Sequence, residues 1–196
     1  MRARQRPGWD AVVIGASAGG LHALETVLGG LPAAFRPAVL IVQHRKSAPE
    51  DLLPSLLRKV CALPVRDVRD KEPIRPGMVY LAPPDYHLLV EVDFHLSLSV
   101  DDRVSFSRPS IDVLFESAAE AYGPRLVGVL LTGANQDGTA GLSKIMELGG
   151  GTIVQDPETA ENSTMPRAAI AAGAAGHVLP LEAIAPFLVK YSPAGA

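Results

Sequence analysis

Ala11-Val12-Val13-Ile14, Ala38-Val39-Leu40-Ile41-Val42 and Leu126 to Leu131 are uninterrupted apolar runs, each leading through turn residues into a segment of helical spacing. A strand with no polar alternation is buried on both faces, and repeated strand–helix alternation places such strands in a mostly parallel sheet covered by helices. Crossovers between parallel strands are almost always right-handed. The pattern therefore predicts a three-layer, doubly wound α/β domain.

The expected strands are Asp10–Gly15, Ala38–Val42, Met78–Ala82, Arg125–Leu131, Thr152–Gln155 and His177–Leu179. Helices are expected over Leu21–Leu28, ending at Gly29-Gly30, and from Ser47 to about Val60, where Ser47, Pro49 and Glu50 form a capping-box pattern. Further helices are expected from Ser110 to Tyr122, Thr139 to Leu148, Pro166 to Ala172 and onward from Leu181. His87–Val92 and His95–Val100 alternate across Asp93-Phe94 and predict a β-hairpin insertion. Arg66–Arg75, with its mixed charges, reads as a solvated loop. No repeat or linker divides the chain, so one domain over 9–191 is expected, with short flexible tails at 1–8 and 192–196.

Composition removes several function classes. Eighteen Lys and Arg against 21 Asp and Glu give a net charge of −3, which argues against phosphate neutralisation on nucleic acid. The single cysteine, Cys61, excludes an internal disulfide and four-cysteine zinc sites, and it reads as a packing residue. Ala168–Val189 is apolar but is broken by Gly173, Gly176, His177, Pro180, Glu182 and Pro186, so it does not predict a membrane span. The basic start, Met1 to Pro7, leads into no signal-peptide run, and a cytoplasmic location is expected.

Ligands of open α/β sheets collect beyond the carboxyl ends of the strands. Three such ends carry reactive groups here: Ser17 after the first strand, His44 after the second and Asp137 after the Val127–Leu131 strand. A hydroxyl, an imidazole and a carboxylate on one sheet edge are the parts of a hydrolytic triad, whose order along the chain is immaterial. Ser17 lies in Gly15-Ala16-Ser17-Ala18-Gly19-Gly20, just before a helix whose unpaired N–H groups would favour an alkoxide and an oxyanion. A nucleotide loop is the alternative, because Gly15-x-Ser17-x-x-Gly20 is one substitution from the dinucleotide fingerprint. Against it, Gln43-His44 stands where the ribose-binding acid belongs. His22, one turn into the first helix, reads as exposed or as a support to the site residues, Asp101-Asp102 as a turn cap, and His87, His95 and His177 lack metal-ligand spacing.

Taken together, these stretches resemble the catalytic domain of the chemotaxis protein-glutamate methylesterases, the CheB family. The resemblance rests on Val-Ile-Gly-Ala-Ser-Ala-Gly-Gly-Leu (13–21), Val-Gln-His (42–44), Leu-Ala-Pro-Pro-Asp-Tyr-His (81–87) and Ser-Arg-Pro-Ser-Ile-Asp-Val-Leu-Phe (107–115). It extends to Leu-Thr-Gly-x-x-x-Asp-Gly-x-x-Gly (131–141) and Gln-Asp-Pro-Glu-Thr-Ala-x-x-x-x-Met-Pro-Arg-Ala (155–168). The resemblance implies that Ser17 is the nucleophile, His44 the general base and Asp137 the carboxylate that orients it. It also implies hydrolysis of γ-glutamyl methyl esters on chemoreceptor-like proteins, deamidation of receptor glutamines, and no cofactor. The partners it implies are a methylated receptor and, for control, a sensory kinase or separate response regulator.

Three departures bear on the transfer. Ala18 stands where family members often have Thr, Ala134-Asn135-Gln136 where many have Met-Gly-x, and only about eight residues precede the first strand, where typical members carry a receiver domain. Oxyanion and substrate contacts are expected from the loops of Ala18, Gly19, Gly20 and Ala134, and regulation by an attached receiver is not expected. The competing reading is a catalytically reduced module that binds a receptor or kinase through the same cleft.

Overall fold

The computed structural model describes residues 8–45 and 52–192. The capping box at Ser47–Glu50 and most of the expected tails lie outside the described residues. A parallel sheet of seven strands forms the centre: β1 (Ala11–Ala16), β2 (Ala38–Gln43), β3 (Val65–Asp67), β4 (Val79–Leu81), β7 (Leu126–Leu130), β8 (Gly151–Gln155) and β9 (His177–Leu179). Their order across the sheet is β3-β4-β2-β1-β7-β8-β9, with every pairing parallel. β5 (His87–Val90) and β6 (Leu96–Ser99) form the separate antiparallel hairpin.

Helices α1 (Gly20–Gly29), α2 (Leu53–Val60) and α6 (Leu181–Tyr191) cover one face, and α3 (Ile111–Tyr122), α4 (Thr139–Glu147) and α5 (Thr164–Ala171) the other. Strand side chains alternate between the layers. Val12, Ile14 and Ala16 of β1 pack with Leu24, Val27 and Leu28 of α1, while Val13 faces the layer of Leu114, Phe115 and Ile145. Because both faces are buried, β1 and β2 need no polar position until Gln43, which is why they read as continuous apolar runs. The hairpin joins the α3 layer through Leu88, Val90 and Leu96. Its strands are shorter than the alternation suggested, because Phe94 turns at φ 62 and its N–H donates to the Glu91 carbonyl, widening the turn.

Arg66–Arg75 is not wholly a loop. Val65–Asp67 pairs with β4 as the edge strand β3, and only its first residue is buried, so no apolar run announces it. At the opposite edge of the domain, Trp9 packs against Phe187 and Tyr191 of α6.

The sheet order reverses at β1. On one side the chain runs from β2 to the edge strand β3 and back to β4, then crosses to β7 on the other. The loops leaving β1 and β7 therefore run to opposite faces, and a crevice opens between them at the carboxyl ends of the strands. On the β7 side, α3 and α4 cross closely, because Gly141 lets backbone meet side chain: a Cβ there would overlap the Phe115 Cβ.

Candidate active site

The pairing of Ala16 with Gln43 places the residues that follow each strand side by side, and the His44 N–H donates to the Ala16 carbonyl at 3.0 Å. The Ser17 loop is pinned at several points. The Ser17 N–H donates to the Thr132 carbonyl at 3.0 Å, and the Thr132 hydroxyl to the Ala18 carbonyl at 2.8 Å. Gln43 Nε2 donates to the carbonyls of both Ser17 (2.9 Å) and His44 (3.0 Å), tying the two candidate reactive residues to one amide. Gly19 then turns the chain into α1 at φ 77, a left-handed conformation that glycine adopts without a Cβ penalty.

His44 Nδ1 lies 3.2 Å from Ser17 Oγ, and Nε2 lies 2.7 Å from Asp137 Oδ2. The structure thus brings together the three residues read from separate strand ends. With Asp137 ionised, Nε2–H donates to the carboxylate and the Nδ1 lone pair accepts from the serine hydroxyl. The ring is used in the opposite sense to the serine-protease template, where the acid holds Nδ1–H. The reason is positional: Ser17 follows directly on the neighbouring strand, close to the His44 backbone, whereas Asp137 reaches the far end of the ring from the loop after β7.

Asp137 is fully buried, yet it is held as a carboxylate. Burial pushes its pKa up, but the hydrogen bond to His44 and the N–H groups of Asp112 and Ile111 outweigh that, and the net shift is downward. Oδ2 also accepts from the Ile111 N–H (2.8 Å), and Oδ1 from the Asp112 N–H (3.0 Å) and the Ser110 hydroxyl (2.9 Å). These donors are the amino end of α3, so Asp137 caps that helix from another segment and sits at its positive pole. Ser110 occupies the N-cap position but makes no cap bond within its own helix, consistent with its hydroxyl going to Asp137.

The capping is reciprocal. Asp112, in the first turn of α3, accepts from the Gly141 N–H in the first turn of α4 at 2.7 Å. Burial, and then the nearby negative charge of Asp137, push the Asp112 carboxyl up to about 7, against the lowering effect of the Gly141 bond. Buried His87 supports the same corner: Nε2–H donates to the Asp102 carbonyl and Nδ1 accepts from the Ser110 N–H.

The CheB methylesterase family model matches residues 12–188, which is most of the chain. The chain belongs to the CheB methylesterase family.

A Leptospira interrogans relative is 50% identical over 182 residues, covering 93% of this chain and 94% of that one. A protein-glutamate methylesterase/protein-glutamine glutaminase of Moorella thermoacetica is 43% identical over 189 residues, but this chain spans only 45% of its length. The crystal structure of the Thermotoga maritima CheB methylesterase catalytic domain superposes with a TM-score of 0.89 at 34% identity, covering 93% of this chain and 98% of that one.

Within this CheB-type domain one expected oxyanion contributor is corrected. The Gly20 N–H donates to the Ser17 carbonyl at 2.9 Å to close the entry into α1, so it is not available to an oxyanion. Gly20 is instead a close-packing position, since a Cβ there would overlap Gln43 Oε1. Ala18 and Ala134 are exposed on the loops after β1 and β7, and with Gly19 they remain the candidate donors. A phosphate at this loop is disfavoured, because a Cβ at Gly19 would meet the Glu161 side chain, with its carboxylate oxygen 2.9 Å away. His22 is exposed, Cys61 is packed against the core with its thiol pKa raised by burial, and Asp101 and Asp102 accept hydrogen bonds through their backbone carbonyls. Among the described residues no three His, Cys, Asp or Glu side chains cluster to hold a metal ion. Also among them, no helix is long and apolar enough to cross a membrane.

Sequence reasoning did not single out Gln43, Thr132, Ser110, Asp112 or His87 as site residues. Ser110 and Asp112 carried a signal, being an N-cap residue and a first-turn acid, but that pattern usually serves the residue's own helix. Beside His44 a cleft of about 330 Å³ is lined by Arg45, Arg103, Phe106, Ser107, Arg108 and Pro109.

Proposed function

We propose that this chain is a serine esterase that hydrolyses γ-glutamyl methyl esters on receptor-like proteins and deamidates glutamines at equivalent positions. The observation that carries the reading is the serial contact Ser17–His44–Asp137, at 3.2 and 2.7 Å. Relatives named for both activities support the choice of substrate.

In this reading the Ser17 hydroxyl attacks the ester carbonyl while His44 Nδ1 takes its proton. The imidazolium that forms is balanced by Asp137, which its four donors keep ionised. The tetrahedral oxyanion is met by N–H groups from the Ala18–Gly19 and Ala134 loops. The intermediate collapses as Nδ1 returns the proton to the methoxide, and methanol leaves. Water, deprotonated by the same nitrogen, then cleaves the acyl-serine to release the glutamate carboxylate and restore Ser17. With a glutamine side chain the leaving group is ammonia.

The unit over 9–191 acts as the catalytic domain, and a methylated receptor at its cytoplasmic side is the substrate. A sensory kinase or a separate response regulator is the controlling partner in this scheme. The reduced-module alternative is less favoured, because a retired site has no need of a carboxylate held by four donors. The deciding experiment is methanol release from a methylated receptor fragment. The parent chain should release it and Ser17→Ala should not; equal release by both would overturn the assignment.

A further inference from the structure

The cleft beside His44 departs from the chemistry of the rest of the molecule. The chain as a whole carries a net charge of −3, yet among the described residues the cleft lining holds three arginines and no acid. Arg103 pairs with Asp85 at 3.5 Å, with both side chains about half exposed, an arrangement easily exchanged for another carboxylate. Arg108 donates through Nη1 to the carbonyls of Val100 and Asp101, neutral acceptors, and pairs with no acid among the described residues. Its Nε is buried with no hydrogen-bond partner among the described residues. A buried donor left unpaired marks a place where a further acceptor belongs.

The rim points the same way. Val104 and Ser107 form an antiparallel bridge, and the two residues between them, Ser105 and Phe106, both have positive φ, 51 and 63. Such a two-residue turn favours Asn or Gly, and a phenylalanine held there is strained. The strained turn presents a phenyl ring that is 97% exposed at the edge of the basic cleft. An apolar ring displayed into water beside arginines is a recognition feature, since aromatic residues and arginine are the side chains that most often anchor interfaces.

We propose that this cleft seats an acidic segment of the polypeptide substrate next to the ester-bearing residue, with Arg103 and Arg108 taking flanking carboxylates and Phe106 packing on an apolar neighbour. The inference rests on the esterase reading for the identity of the substrate. The methyl ester is itself uncharged, so it offers these cations nothing; selectivity has to come from the groups beside it. A segment reaching Ser17 past His44 passes through this cleft. An acidic flank meets complementary charge, whereas a basic one meets repulsion.

The test separates docking from catalysis by measuring binding to the full chain carrying Ser17→Ala. Two fluorescent peptides are compared, each with a central glutamine in place of the ester, one flanked by glutamates and the other by glutamines. The acidic peptide should bind about tenfold more tightly at low salt, and the advantage should shrink as salt screens exposed charges. Adding Arg103→Glu should abolish or reverse the preference. Adding Phe106→Ala should weaken both peptides while the preference survives. Equal binding of the two peptides by the Ser17→Ala protein would overturn the proposal whatever the variants do, as would an acidic preference undiminished by Arg103→Glu. Acidic-peptide binding without methanol release by the parent chain would leave the docking surface standing and remove the esterase; methanol release without acidic preference would do the reverse.

Discussion

Asp137 serves both the imidazole of His44 and the amino end of α3, so Asp137→Asn should damage stability as well as rate. Its oxygens accept from His44 Nε2 and the Ile111 N–H on one side, and from the Asp112 N–H and the Ser110 hydroxyl on the other. An amide nitrogen at the Oδ2 position would face both His44 and Ile111. At the Oδ1 position it would face Asp112, while the Ser110 hydroxyl could rotate to accept. The second orientation is the less damaging, and it leaves one buried backbone N–H unpaired, which costs about 1–3 kcal/mol. Two charge-assisted bonds also become neutral ones, at roughly half their former strength. The sum is about 2.5–6 kcal/mol, equivalent to a fall in Tm of about 5–20 °C for a domain of this size. Turnover should fall by about four orders of magnitude, the loss recorded when the template acid becomes Asn. Thermal melts followed by circular dichroism, alongside ester hydrolysis, measure both effects. If the Asp137→Asn protein melted within about 2 °C of the parent, the capping role of Asp137 would be refuted, even if the variant were inactive.

Three further outcomes follow from the same geometry. Asp112 has a raised folded-state pKa, so its contribution to stability is full below the unfolded carboxyl value and is lost as pH rises through about 7. Asp112→Asn never ionises and keeps an acceptor for the Gly141 N–H, so its Tm should gain on the parent as pH rises from about 4 to about 7 and run parallel to it above that; parallel melting curves between about pH 4 and 7 would contradict this. Gln43→Ala unties the carbonyls of Ser17 and His44 and should lower kcat by about 10–100-fold with KM little changed, read from steady-state kinetics. Gly141→Ala forces a methyl group against Phe115 where α3 and α4 cross, and should lower Tm by several degrees; an unchanged melt would show that the helices can separate freely.

The central strands were legible because β1, β2 and β7 are buried on both faces and announce themselves as apolar runs. Ser17, His44 and Asp137 were legible because a parallel sheet gathers everything at its carboxyl edge, so three strand ends sufficed without any knowledge of distance. Edge strand β3 was not, since Arg66 and Asp67 follow a single buried valine and look like any charged loop. The support of the site was hidden for a different reason. Asp137 caps α3 from 25 residues away and Asp112 caps α4 from 29, and no local pattern distinguishes a cap made across the fold from one made within a helix. Gly20 misled because a helix amino end next to a nucleophile reads as an oxyanion donor, and only the turn to the Ser17 carbonyl shows that its N–H is already taken.

Covalent capture of the nucleophile probes the heart of the account without requiring the natural receptor. An active-serine phosphonate, incubated with the native chain and followed by peptide mass spectrometry, should modify Ser17 and no other hydroxyl, and His44→Ala should slow the labelling by orders of magnitude. An unlabelled Ser17 in the folded protein, or labelling that proceeds as fast without the imidazole, would mean that the three side chains meet without forming a working hydrolase.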